Sequence, residues 1–205
     1  MIMDFIKKVP AGMMVVQSFT NGFGSDFIAA NSIIMKVDGF AVMPMMGLGS
    51  AIATFVGQNM GAGKIDRVKE GYRMCYVIVL TAGAVLCVMY QLAGGAFVSL
   101  FLDSGSSEAY SVGLSYVKFL SFFYSFIGLK ASTDGLLRGA GDVTAFTVAN
   151  LVNLAIRVSV TNLFAPIYGI QVAWMAVPLG WAANYVISFG WYLTGKWKKV
   201  RVIKK

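Results

Sequence analysis

Four ionisable residues, Lys36, Asp38, Lys118 and Arg157, stand inside long apolar stretches of this 205-residue chain. Such a group costs about 3 kcal/mol in an apolar medium unless it is paired or wetted, so each is a functional candidate. Geometry separates them. Lys118 and Arg157 lie about 13 and 11 Å from the ends of their predicted helices, close enough for long side chains to nearly reach an interface. Lys36 and Asp38 lie deeper. Spaced two apart, they point to opposite sides of a helix and cannot satisfy each other, so each needs a partner elsewhere. Asp38 is the one acidic residue well inside a predicted span, and a carboxylate there can hold a proton or a sodium ion. The competing explanation is a static ion pair with Lys118 or Arg157. A polar stripe adds to the picture: Thr147, Asn150, Asn153, Arg157 and Thr161, at spacings of three and four, share one helix face. That face should look into a bundle or a wet cleft, because lipid would leave its amides unpaired. Asn31 could join the lining. Hydrogen bonding between helices explains the individual asparagines equally well. Phe40, Met43, Met45, Met46 and Phe122 could line an adaptable apolar cavity, though ordinary packing accounts for them better.

The residues around these groups exclude most other chemistry. Hydrophobic residues make up 58% of the chain and charged ones 13%, and the mean hydropathy is +0.71, which describes a membrane protein. The net charge of +8 sits in short gaps between apolar runs, and nucleic-acid binding would need a basic face on a polar domain. There is no histidine, no nucleophile with a base beside it and no cluster of metal-ligand spacing, so an enzyme or a metal site is not expected. Cys75 and Cys87 are twelve residues apart in one predicted helix, about 18 Å, which is too far for a disulfide. Asp4 lies in what would be the basic region of a signal peptide, and no convincing small-residue cleavage site follows.

The elements that must position the candidates are helices. Hydropathy predicts six spans, about 10–23, 26–58, 72–93, 109–131, 143–164 and 170–194, followed by a basic tail, 196–205. The first is short, about 21 Å at helical rise against a hydrocarbon core of about 30 Å. The second is longer than a straight crossing needs and carries Pro44, so it should bend. Of 17 cations, 14 fall in segments that six crossings would place on one side: Lys7 and Lys8, four between Lys64 and Arg73, Lys130 with Arg138, and six in the tail. The predicted architecture is therefore an all-α membrane protein, a six-helix transmembrane bundle with both termini cytoplasmic in the cell membrane.

Two strings between spans carry more specific information. The first, GQNMGAGKIDRVKEG, starts at Gly57. Its Gly61, Gly63 and Lys64 suggest a phosphate-binding loop, but that motif needs glycine where Gln58 stands and Ser or Thr where Ile65 stands. The physical reading is a helix end capped by glycine and a solvated basic turn. The second string is Leu136-Leu137-Arg138-Gly139-Ala140-Gly141-Asp142, and the two Gly-Ala-Gly segments read as helix ends built from small residues. The first string resembles the loop after the second helix of a lobe in the multidrug and toxic compound extrusion (MATE) transporters, with Gly57, Gln58, Asn59, Gly61, Gly63 and Lys64 as the matching residues. The second, through Arg138, Gly139, Gly141 and Asp142, resembles that family's loop between the fourth and fifth helices of the C-terminal lobe. The resemblance covers nearly the whole chain but only about half of a family member, which has two six-helix lobes in one polypeptide.

The resemblance implies one lobe of a two-lobe transporter that exports small organic, often cationic, compounds in exchange for protons or sodium by alternating access. It implies no cofactor beyond the coupling ion. Asp38 would be loaded by that ion, with Lys36, Lys118 and Arg157 as intramembrane charge partners. Asn31, Asn150 and Asn153 would line the cavity. A working unit would need membrane lipid around it and a second lobe, from a separate chain or from a homodimer. The alternatives are a truncated or non-transporting membrane protein acting only as an assembly partner, and a small six-helix exporter of amino-acid-like solutes. The two loop strings argue against the last.

Overall fold

The computed structural model describes residues 25–101, 107–168 and 171–199. The expected first span, 10–23, lies outside them, as does the tail beyond Lys199. The described residues form six α-helices and no strand: α1 Ser25–Gly61, α2 Ile65–Ser99, α3 Ser107–Ser121, α4 Tyr124–Gly139, α5 Val143–Tyr168 and α6 Gln171–Leu193, then a short 3-10 turn Lys196–Lys199. Three stretches are long and apolar enough to cross a membrane, Met35–Gly61, Ile65–Ser99 and Val143–Tyr168, and α3 with α4 makes a fourth if that bent pair is one span. Pro44 is accommodated within α1 and Pro166 within α5.

Large apolar side chains face outward, among them Leu92 at 83% exposure and Met43 at 75%. Lys130, Asp134, Asn153, Asn184 and Ser188 are buried. A soluble domain shows the reverse arrangement; this one suits a surrounding of lipid.

The expected fourth span, 109–131, is corrected in two ways. It breaks at Phe122–Phe123 with a 53° bend between its halves, and it continues to Gly139. Neither proline nor glycine stands at the break. Shorter-range backbone bonds hold it, from Phe123 N to the Leu120 carbonyl and from Phe126 N to the Phe123 carbonyl, the pattern of a tightened turn. Lys130 is consequently not a loop residue. It lies within α4, 9% exposed.

Helix α4 is the axis of the bundle. It packs against α1, α2, α5 and α6, and its residues from Lys130 to Leu137 are buried in an unbroken run. Glycine permits this closeness to α1. A Cβ added at Gly135 would collide with the Gly49 carbonyl oxygen, one at Gly139 with the Ala53 carbonyl oxygen, and one at Gly49 would come 2.7 Å from the Ala131 carbonyl oxygen. Gly135 and Gly139 thus form a small-xxx-small contact, which lets two backbones meet where lipid supplies no hydrophobic drive between helices.

Candidate functional site

The two loop strings fold into the same device. In each, a glycine with positive φ follows the helix, Gly63 (70°) and Gly141 (81°). Lys64 N donates to the Asn59 carbonyl and Gly63 N to the Met60 carbonyl; Asp142 N donates to the Leu137 carbonyl and Gly141 N to the Arg138 carbonyl. These are two Schellman ends, and they satisfy carbonyls that a helix terminus otherwise leaves bare. Gly57 lies beside Gly139, so both turns sit at one end of the bundle. The next residue distinguishes them. Asp142 Oδ1 accepts from Ala145 N at 3.3 Å, capping α5, while its Oδ2 accepts from Trp191 Nε1 of α6 at 2.7 Å. Lys64 gives α2 no side-chain cap. Asn59 Nδ2 donates to the Phe55 carbonyl at 2.8 Å, within its own helix, and Gln58 is exposed.

Asp38, half-buried on α1, is held from both sides of the break in the bent pair. Tyr124 Oη, at the first position of α4, donates to Oδ1 at 2.5 Å, and Tyr116 Oη on α3 donates to Oδ2 at 3.2 Å. Tyr90 of α2 donates to the neighbouring Val37 carbonyl at 3.0 Å and packs against Tyr124 at 5.5 Å between ring centroids. Trp174 of α6 meets Tyr116 edge-on at 5.2 Å. The carboxylate of α1 thus rests in an aromatic cage drawn from four other helices.

None of the expected charge partners pairs with it; the ion pairs among the described residues are Lys69 with Asp66 and Lys130 with Asp134. Lys36 is exposed, with its ammonium 5.7 Å from the Phe101 ring centroid. Lys118 is exposed, and its backbone carbonyl accepts from Gln91 at 2.9 Å. Arg157 is exposed, its stem lying where α6 has Gly180. The Asn31 side chain lies outside the described residues.

A second polar cluster joins α4, α5 and α6. Lys130 Nζ reaches Asp134 Oδ2 at 2.9 Å and Asn150 Oδ1 at 3.1 Å. Asn150 Nδ2 donates to Asp134 Oδ2 at 3.2 Å, and Ser188 Oγ to Asp134 Oδ1 at 2.8 Å. Ser188 Oγ also lies 3.4 Å from Asn184 Oδ1. A hydroxyl has one proton, and the shorter bond to the carboxylate takes it. Among the described residues, the buried Asn153 Oδ1 and Asn184 Nδ2 have no hydrogen-bond partner. Of the α5 stripe, Asn153 and Thr161 are buried and Asn150 is half-buried, whereas Thr147 and Arg157 face out. Met45 is a core residue; Phe40, Met43, Met46 and Phe122 are exposed.

Sequence reasoning missed Asp134 because it closed the fourth span at Ala131. The available signal was the i, i+4 spacing of Lys130 and Asp134, set against the Ser132-Thr133-Asp134-Gly135 cluster, which reads as a turn. Tyr116 and Tyr124 carried no signal, since tyrosine is common in an aromatic-rich segment.

A carboxylate caged by hydroxyls, a buried ion pair, apolar outward faces and a continuous helical bundle define a polytopic membrane protein. The profile of the MatE family matches residues 9–164, and the chain belongs to that family, whose members are transporters rather than enzymes. It is 27% identical over 195 residues to the probable multidrug resistance protein YpnP of Bacillus subtilis, covering 95% of this chain and 43% of that protein. Multidrug and toxin extrusion protein 1 of Oryctolagus cuniculus is 22% identical, over 90% of this chain and 33% of the relative. Among solved structures, an outward-facing multidrug resistance MATE family transporter of the MOP superfamily superimposes with a TM-score of 0.83 at 16% identity, covering 96% of this chain and 44% of that one. An inward-facing transporter of the same description gives 0.78 at 17% identity, over 90% and 41%. The chain spans less than half the length of each of these proteins.

Proposed function

We propose that this chain is one six-helix lobe, the C-terminal one, of a multidrug efflux antiporter. It exports organic, often cationic, compounds in exchange for protons or sodium, by alternating access across a central cleft. The observation that carries this reading is the surrounding of Asp38. Its carboxylate has two hydroxyl donors and, among the described residues, no cation bonded to it. A tyrosine hydroxyl can donate to a carboxylate and equally to the carbonyl oxygen that remains once the acid is protonated. Such a site accommodates a change of charge without losing its hydrogen bonds. The opposite wall of the cleft comes from a second lobe, supplied by another chain or by a second copy. Both termini are cytoplasmic, and the protein resides in the cell membrane.

The test is counterflow of a cationic dye in proteoliposomes, with the chain reconstituted alone and with a co-expressed second lobe. Transport driven by a proton or sodium gradient is expected to vanish in Asp38→Asn while the variant still inserts and folds. Undiminished, gradient-dependent transport in that variant would remove Asp38 from the mechanism. Chemical cross-linking in the same vesicles shows whether the working unit is a homodimer or a pair of different chains.

A further inference from the structure

We propose that the cleft between α1, α4 and α5, at the turn-bearing end of the bundle, binds a phosphate or carboxylate anion such as a lipid head group carries. The cleft has a volume of about 90 Å³, and Lys130, Asp134, Arg138 and Asn150 bring its polar groups, with Met46 and Phe146 among its apolar walls. Asp134 is largely engaged: Lys130 and Asn150 bind one oxygen and Ser188 the other, which leaves one of its roughly four lone-pair sites. Lys130 has three N–H donors, and Asp134 Oδ2 and Asn150 Oδ1 take two of them. One remains.

Arg138 is exposed, with its guanidinium 5.2 Å from the Phe146 ring centroid. Among the described residues it makes neither an ion pair nor a side-chain hydrogen bond. Asp134 therefore neutralises Lys130, and the cleft keeps the whole charge of Arg138 together with donors that only an acceptor can meet. An anion satisfies both; a cation would find one lone-pair site on Asp134 Oδ1 and the repulsion of the uncompensated Arg138.

Depth favours an anion attached to an apolar body. Arg138 is in the last turn of α4, beside the two Schellman ends, and Lys130 lies eight residues, about 12 Å, further in. The site thus runs from the level where lipid head groups lie into the apolar zone, with Met46 and Phe146 along the way. It does not rest on the coupling role proposed for Asp38, and it takes the opposite charge from the compounds proposed as exported.

The experiment measures the thermal unfolding midpoint of the full chain in a neutral maltoside detergent. Dioleoyl phosphatidate, dioleoylglycerol or inorganic phosphate is added in separate arms. Phosphatidate is expected to raise the midpoint more than dioleoylglycerol, and Arg138→Gln to lose more than half of that difference. Lys64→Gln, an exposed cation at the same end but outside the cleft, should keep it. A shift with inorganic phosphate that also depends on Arg138 identifies a free anion as a sufficient ligand; a shift with phosphatidate alone identifies the lipid. The double variant Lys130→Met/Asp134→Asn removes the deeper donor together with its carboxylate, and serves if Arg138→Gln does not fold. An equal response to the neutral lipid, or equal loss in Lys64→Gln, overturns the proposal.

Discussion

Asp38 and Asp134 are two carboxylates inside one bundle, and their partners differ in charge. Asp38 is met by the hydroxyls of Tyr116 and Tyr124. Asp134 is met by an ammonium, an amide and a hydroxyl. A neutral donor tolerates either state of the acid, whereas a fixed ammonium is left without its counter-charge once the acid is protonated. The placement follows the same division. The Asp38 bonds tie α1 to the break between α3 and α4, where a helix pair bends, while the Asp134 bonds clasp the middle of α4 to α5 and α6. One arrangement suits a residue that changes charge during work, and the other suits a joint that must not change.

The comparison is tested most severely at Lys130. Lys130→Met leaves Asp134 buried and unpaired, and the midpoint of unfolding in detergent should report a loss of about 3–5 kcal/mol. Adding Asp134→Asn removes the stranded charge and should restore most of that loss. If the double variant is as unstable as the single, the pair is not a joint of the kind described here. Asp38→Asn, by contrast, keeps an acceptor for at least one tyrosine and should cost only about 1 kcal/mol.

Next in size is the glycine contact that seats α4 on α1. Gly139→Ala drives a methyl into the Ala53 carbonyl and should destabilise by about 1–3 kcal/mol. Gly61→Ala meets nothing within 4 Å and should leave the midpoint nearly unchanged. Equal effects would mean that α4 is not tightly seated on α1. Tyr124→Phe comes third: it removes the shorter bond to Asp38, and the loss should be about 1–2 kcal/mol. If Tyr116→Phe cost as much, the 2.5 and 3.2 Å contacts would not reflect unequal bonds.

Much of the scaffold was legible in hydropathy and in turn chemistry. The long apolar runs of α1, α2 and α5 could be placed, and the two Gly-Ala-Gly strings gave their helix ends, because positive φ makes glycine locally diagnostic. The break at Phe122–Phe123 was not legible. Tyr116 and Tyr124 flank it and reach one aspartate from two directions, a tertiary arrangement that leaves no proline or glycine behind. That miss propagated, since ending the span at Ala131 gave Lys130 to a loop and hid Asp134. At Asp38 the sequence drew attention to the acid and to the wrong kind of partner. Charge in an apolar run is conspicuous, and a hydroxyl among aromatic residues is not.

A third carboxylate sets the scale for the other two. Asp142 caps α5 through Ala145 N and holds α6 through Trp191 Nε1, at a bundle end and away from Asp38. Asp142→Asn keeps the shape but has one acceptor oxygen for two donors, so either the cap or the Trp191 bond is lost and the midpoint should fall by about 1 kcal/mol. Asp142→Ala removes both bonds and should cost about 1–2 kcal/mol. In both variants the gradient dependence of dye counterflow should persist in whatever protein remains folded. That separates a carboxylate used for its shape from one used for its charge. If Asp142→Asn abolished coupling as completely as Asp38→Asn, loss of coupling would no longer identify the charge-changing residue, and the distinction drawn from the tyrosine cage would fail.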